Sequence, residues 1–309
     1  MKQNYDLETA KGVLRIRLSQ MLVNEKYKAG EFKIPIHLAL GHEAIASAVD
    51  GIMEEKDQLV LSHRNIHYNL ARTKYLKPEL DEYLLKKEGL GGGQLGSMNL
   101  ANEEKNIVYT SSILGNNLPV ATGLSLAKKV KKEGGIVIVE TGDGAIEEGT
   151  FYESLLFAKS NNLPLLVVIE NNGWSLATRI KERRCDIDLA KFADSLSLKH
   201  EKLTGNNVFK YIEKLKNLKQ YSLENNAPVV VEVELTTLGG WYVEDANNPA
   251  GKRFINYHAG PAPEVFLKNL PVIEESDKDP VFVLNGQFNE AVLREASAEI
   301  LKQLKEEIK

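Results

Sequence analysis

Gly134 to Thr178 reads GGIVIVETGDGAIEEGTFYESLLFAKSNNLPLLVVIENNGWSLAT, and the fold turns on this stretch. Ile136 to Val139 and Leu165 to Ile169 are unbroken apolar runs rich in β-branched residues. Continuous rather than alternating hydrophobicity is what a strand needs when both faces of a parallel sheet are covered. Between the runs, Phe151, Leu155, Leu156 and Ala158 recur at helical spacing, and Pro164 stops that helix before the second run. The stretch is a βαβ unit, which predicts an α/β fold with a mostly parallel sheet and helices on both faces. In open sheets of this kind, ligands bind at the carboxyl ends of the strands. Both strand ends here carry oxygen donors.

Asp143 supplies a carboxylate in a Gly-Asp-Gly turn after the first strand, and Asn172 an amide oxygen after the second. A right-handed crossover brings the two side by side. Gly142 and Gly144 are expected to let the backbone turn sharply and approach a ligand closely. One carboxylate with one neutral amide is a poor cage for a bare cation, but it suits a Mg²⁺ ion that keeps water and phosphate oxygens. The residues themselves therefore predict a Mg²⁺-diphosphate site. An isolated GDG is more often only a turn, so the weight rests on the whole strand–turn–helix–strand arrangement.

GDG, then a stretch of just under thirty residues, then NN resembles the signature of thiamine-diphosphate-dependent enzymes. The closest resemblance is to the α subunit of the decarboxylating component of 2-oxo-acid dehydrogenases of the pyruvate and acetoin type. Gly142-Asp143-Gly144-Ala145, Glu148-Gly149, Phe151, Glu153, Ala158, Leu163-Pro164 and Glu170-Asn171-Asn172 all fall in its register. The resemblance implies a thiamine-diphosphate-binding fold in which Asp143, Asn172 and the main-chain oxygen of Trp174 hold Mg²⁺, beside Gly144 and Ala145. It implies that Leu176 is the apolar wedge that bends the cofactor, and that the main chain at Ser112 and Leu114 lies against the aminopyrimidine.

Upstream, Leu7 to Tyr27 carries a broad apolar helical stripe, and Glu43 to Met53 reads as a second helix after the loop at Pro35. His37, Leu38, Gly41, Glu43 and Ala44 resemble the family's His-Leu-Ser-x-Gly-Gln-Glu-Ala segment, with His42 where Gln is usual. His37 is a candidate for substrate contact or a packed loop residue; His42 reads as structural. Gln58 to Leu61 is a short strand followed by SHRNIHYNLA. An arginine at a strand end can hold phosphate oxygens in a bidentate manner. Arg64 is therefore the candidate diphosphate ligand, with His63 beside it and His67 as a further catalytic candidate, since Ile66 takes the family's histidine position. Gly89 to Leu100 (GLGGGQLGSMNL) is so rich in glycine that it reads as a mobile loop. Asn99 and Gln94 stand there in place of a histidine and a lysine. A polar loop then leads to a helix over Val120 to Lys131.

Downstream, Arg179 to Arg184 (RIKERR) reads as a charged loop, solvated or acting as a flap over the site. Asp188 to Leu198 and Val208 to Glu224 read as helices and Pro228 to Leu235 as a strand, which adds another unit to the sheet. TTLGGWYVED lacks the histidine that the family carries there, and His258 in NYHAGPAP is a candidate to replace it or a structural residue. The chain divides into a diphosphate-binding α/β domain over 1–268 and a charged segment with a final helix over 269–309.

The chain has 309 residues, 43% hydrophobic, enough for a substantial core. A net charge of −4 with no dominant basic tract argues against nucleic acid as a partner. One cysteine, Cys185, suits a reducing compartment. No signal-like or membrane-length apolar run is present, so a cytoplasmic chain with no membrane partner is expected. By the resemblance, the chain is half of an active site. A β subunit would supply the pyrimidine-binding domain and its glutamate in an α2β2 assembly, with a lipoyl acyltransferase as acyl acceptor. The implied reaction is decarboxylation of a 2-oxo acid with acyl transfer. Transketolase-like carbon–carbon ligation on a sugar or short aldehyde, and a cofactor-free scaffold subunit, are the alternatives.

Overall fold

The computed structural model of the protein describes residues 5–255 and 259–309. The chain opens with α1 (Leu7–Lys28) and α2 (Glu43–Ile52), enters β1 (Gln58–Ser62), and continues through α3 (Ile66–Thr73) and α4 (Lys77–Tyr83). After β2 (Ile107–Ser111) and α5 (Asn117–Lys131) comes the βαβ unit of β3 (Val137–Gly142), α6 (Gly149–Ser160) and β4 (Leu165–Asn171). A hairpin of β5 (Trp174–Ser175) and β6 (Thr178–Arg179) runs into the short α7 (Ile180–Arg183). Then follow α8 (Leu189–Ser195), β7 (Lys199–Leu203), α9 (Val208–Asn225) and β8 (Pro228–Glu234). The hairpin of β9 (Tyr242–Glu244) and β10 (Lys252–Phe254) precedes α10 (Pro280–Asn285) and α11 (Glu290–Glu307).

The main sheet has the order β2-β1-β3-β4-β8-β7, and every pairing in it is parallel. Its two faces account for the unbroken apolar runs. Ile138, Leu166, Val168, Val229 and Val231 point into one core, which α1, α2 and α9 cover. Val137, Val139, Leu165, Val167 and Ile169 point into the other, against α5, α6 and α8. The expected mostly parallel sheet with helices on both faces is therefore what the chain forms. Strand order reverses between β1 and β3, and at such a switch point the connecting loops splay apart and leave a crevice.

Residues 269–309 share the first core. Leu293, Ala296, Ile300 and Leu304 of α11 are buried on one helix face, as are Val281 and Leu284 of α10. Arg17, fully buried on α1, ties the layers together. It donates to Glu43 at 2.6 and 3.0 Å, to Asp279 at 2.9 and 3.2 Å and to the Pro271 carbonyl at 2.9 Å. Among the described residues, no helix is long and apolar enough to cross a membrane.

Two loops differ from expectation. The glycine-rich segment read as mobile is clamped. The buried Glu82 carboxylate accepts from the backbone N–H groups of Gly91, Gly93, Leu95 and Gly96 at 2.7–3.1 Å. Those four donors hold the Glu82 carboxyl below its ordinary pKa, against the desolvation that opposes them. The RIKERR tract is not a loose charged loop either. It forms the end of β6 and α7, and its Arg183 turns inward.

Candidate active site

Four strand ends converge on one cavity of about 300 Å³. Ser62, His63 and Arg64 come from β1, Ser111 to Leu114 from β2, Gly142 to Ala145 from β3, and Asn172 to Leu176 from β4. Ten of the sequence-derived candidates therefore share one wall: His63, Arg64, Ser112, Leu114, Asp143, Gly144, Ala145, Asn172, Trp174 and Leu176. The floor is polar and the mouth apolar. Ile113, Leu114 and Leu176 stand 68%, 46% and 66% exposed around the rim.

Asp143 is buried, and its carboxylate accepts from Arg183 at 2.9 Å. Burial pushes its pKa up to about 6, with the Arg183 guanidinium acting in the opposite direction. Arg183 also pairs with Glu147, which Arg184 reaches at 2.9 Å. The GDG glycines work differently from the expected sharp turn. Gly144 has an ordinary φ of −77°, but a Cβ there would lie 2.4 Å from the Ser175 hydroxyl. Gly144 is needed for close packing against the β5 loop, and a Cβ on Gly142 would meet only open space.

Asn172 has its amide orientation fixed. Its Oδ1 accepts from the Trp174 N–H at 2.9 Å, and its Nδ2 donates to the Thr237 hydroxyl at 3.3 Å. The Trp174 ring packs edge-on against Phe254 at 5.6 Å, with the Arg179 guanidinium 5.0 Å from its centre. Two non-glycine residues of the wall lie in the left-handed region, Arg64 at φ +54° and Leu176 at φ +52°. Such strain persists only where the surroundings hold it, and it clusters at functional sites. Arg64 is held by its hydrogen bond to Thr237 at 2.9 Å.

The histidines divide into two groups. His63 lines the cavity, and its ring meets that of His37 edge-on at 5.6 Å. His37 contacts the Ser97 hydroxyl through Nδ1 at 3.1 Å, and Ser97 donates to the Pro35 carbonyl at 2.8 Å. Burial, with His63 and Arg64 adding to it, brings the His37 pKa down to about 4, so the ring is neutral at physiological pH. His67 lies beneath the cavity and does not line it. It donates from Nε2 to Glu170 at 2.9 Å. His42 is also buried and bonds Glu170 through Nδ1 at 2.7 Å, and burial lowers its pKa to about 4. Glu170, which also accepts from Tyr68 at 3.0 Å, is held well below the usual carboxylate range by the His67 and His42 contacts, which outweigh its desolvation. His42, His67 and Glu170 bring their ligand atoms within 4.8 Å of one another. The direct N···O contacts of 2.7 and 2.9 Å leave no space for an ion between them. His258 lies outside the described residues.

The dehydrogenase E1 component family model matches residues 14–247. The chain belongs to that family. Among E1 relatives, the pyruvate dehydrogenase E1 component subunit alpha of Rickettsia bellii is 29% identical over 311 residues, covering 100% of this chain and 91% of the relative. The protein of the same name in Rickettsia typhi is 30% identical, over 79% of this chain and 75% of its own. The mitochondrial subunit of Saccharomyces cerevisiae is 28% identical, over 77% of this chain and 56% of the relative. Transketolase from Leishmania mexicana shares the fold, with a TM-score of 0.59 at 13% identity. This chain spans 46% of that transketolase's length. The family resemblance carried by the GDG and ENN segments is thereby confirmed.

Within this E1 chain, sequence reasoning missed three groups. Arg183 was hidden in a charged tract. Thr237 sits in a loop noted only for the histidine it lacks. Glu140 lines the cavity, accepting from the Ser62 N–H and hydroxyl at 2.9 and 2.8 Å, and burial with the nearby Glu170 pushes its pKa up to about 8. The available signal was a glutamate directly after the unbroken apolar run of β3.

Proposed function

We propose that this chain is the α subunit of a thiamine-diphosphate-dependent 2-oxo-acid dehydrogenase component, binding the cofactor's diphosphate through Mg²⁺. The supporting observation is the convergence of Arg64, Asp143 and Asn172 at the carboxyl ends of β1, β3 and β4, over a strand-order switch. The donor set fits the ion. It consists of hard oxygens, one anionic and one amide, with the Trp174 carbonyl as third. The cavity fits the cofactor, since a charged floor and an apolar rim match a diphosphate tail and an aromatic body.

Asp143, Asn172 and the Trp174 carbonyl would hold Mg²⁺, Arg64 would hold the diphosphate, and Gly144 and Ala145 would lie against it. Ser112 and Leu114 would present main chain to the ring system, and Leu176 would press on it from the rim. Bound thiamine diphosphate supplies the carbon nucleophile and the electron sink for decarboxylation. His63, which lines the cavity, is the histidine that would meet a substrate carbonyl or carboxylate, with the neutral His37 packed edge-on against it. The open apolar rim supports a partner β subunit that completes the site, and the relatives' subunit names agree with such a partner. An α2β2 assembly and transfer of the acyl group to a lipoyl acyltransferase belong to the same proposal. Residues 1–268 would form the binding unit, with 269–309 as its outer strap.

The test is calorimetry with thiamine diphosphate and Mg²⁺, on the chain alone and with its partner. Binding in neither case refutes the proposal. Assaying the assembled pair on 2-oxo acids and on ketoses then separates decarboxylation from ketol transfer.

A further inference from the structure

The hydrogen bonds around Thr237 admit one arrangement of protons. Arg64 Nη1 and Asn172 Nδ2 can only donate, and both point at Thr237 Oγ1, at 2.9 and 3.3 Å. The identity of Nδ2 is secure because the other amide atom, Oδ1, accepts from the Trp174 N–H at 2.9 Å. With two donors already on its oxygen, the Thr237 hydroxyl must give its own hydrogen to His42 Nε2, 2.9 Å away. That makes Nε2 an acceptor and puts the His42 hydrogen on Nδ1, where it is donated to Glu170 at 2.7 Å. Glu170 accepts again from His67 at 2.9 Å and Tyr68 at 3.0 Å on its second oxygen. The direction of every bond is thus fixed, from the cavity wall down to one buried carboxylate.

The backbone holds Thr237 in place for this. Gly41, at φ +96°, lies so close to the next segment that a Cβ there would sit 2.1 Å from the Thr236 carbonyl. The Leu238 N–H donates to the Leu40 carbonyl at 2.8 Å. Thr237 itself is 3% exposed.

We infer that Thr237 is a positioning residue for the diphosphate and metal ligands, its hydroxyl oriented by His42 and Glu170 so that it holds the Arg64 guanidinium and turns the Asn172 amide oxygen away from itself. The inference rests on the proposed cofactor site but assigns a role to Thr237, which that proposal places on neither metal nor diphosphate. Arg64, strained at φ +54°, keeps its pose through this contact, and Asn172 keeps its oxygen on the Trp174 side, where a metal would be met.

The test compares Thr237→Val, which keeps the shape and removes the hydroxyl, with Thr237→Ser, which restores it. Titration calorimetry with magnesium thiamine diphosphate and with magnesium pyrophosphate reads the diphosphate end directly. Loss of one hydrogen bond to a charged group predicts affinity about tenfold to a hundredfold weaker for both probes in Thr237→Val. Thr237→Ser should recover to within about threefold, because the same hydroxyl bond is re-formed. Nitrogen NMR of histidine-labelled protein reads the relay without cofactor: His42 should show hydrogen on Nδ1 and a hydrogen-bonded Nε2, and lose the Nε2 signature in Thr237→Val. Wild-type affinity in Thr237→Val, an equal loss in Thr237→Ser, or an Nε2 signature that Thr237→Val leaves unchanged each overturns the inference. If the wild-type chain binds neither probe even with its partner present, the cofactor reading fails and the positioning role fails with it, whereas an altered NMR signature still establishes the bond network.

Discussion

Replacing Arg183 with methionine should make the chain less stable and its metal site stronger. Arg183 and Asp143 are 13% and 3% exposed and 2.9 Å apart, so the pair is largely withdrawn from water. Removing one partner of a buried pair costs about 3–5 kcal/mol. Part of that is recovered because Asp143, whose pKa already stands at about 6 beside the guanidinium, takes up a proton when the guanidinium is gone. A net loss of about 2–3 kcal/mol follows, which at roughly 2 °C per kcal/mol lowers the melting temperature by about 4–6 °C. The same guanidinium repels any cation that approaches Asp143. Its removal should tighten Mg²⁺ binding by about tenfold or more at a pH where Asp143 is ionised, since two like charges a few ångströms apart at effective dielectric near 20 interact by more than 1.4 kcal/mol. Melting curves without metal, and Mg²⁺ titrations at saturating thiamine diphosphate above pH 7, read the two effects separately. Unchanged melting, or Mg²⁺ binding that weakens, refutes the reasoning and makes Arg183 a ligand contact instead.

Three further outcomes are expected. Glu79 is buried with Tyr83 as its partner, and burial raises its pKa from 4.5 to about 8. The folded chain therefore keeps a proton that the unfolded chain releases, so stability falls as pH rises from 4.5 to 8, at up to about 1.4 kcal/mol per pH unit. Glu79→Gln should flatten that slope and raise stability at pH 8, as read by urea unfolding at several pH values. Glu82→Ala strips the acceptor from four backbone N–H groups, and should cost about 3 kcal/mol and open Gly91–Gly96 to limited proteolysis. Leu176→Gly removes a left-handed, 66% exposed side chain, so stability should hold or rise by up to about 1 kcal/mol while thiamine diphosphate affinity falls in calorimetry.

The strands of the central unit were legible because burial on both faces writes itself as unbroken runs such as Val137–Val139 and Leu165–Ile169. Asp143 and Asn172 were legible because a crossover connection has one hand and returns the second strand to the side of the first. Arg183 was not, because six residues containing four arginine or lysine side chains have the composition of a solvated loop. Only the three-dimensional path of β6 and α7 brings one of them back to Asp143. The glycine-rich segment failed for a related reason. Its composition reports conformational freedom, whereas its order comes from Glu82, a residue on a separate helix. The position of His67 depended on how α3 is rotated, which a one-residue offset from a motif cannot reveal. Gly144 lines the cavity, and what the structure shows of it is steric, set by Ser175 across the loop.

The apolar rim of Ile113, Leu114 and Leu176 has an energetic corollary. These side chains surround the mouth of the cavity, so a chain that covers them also closes over whatever the cavity holds. Occupancy and assembly then share one free energy. Linkage requires that any factor by which the partner tightens cofactor binding is returned as an equal tightening of the partner by the cofactor. A change confined to Leu176 would therefore register twice, once in the dissociation constant for cofactor and once in the concentration at which the subunits separate.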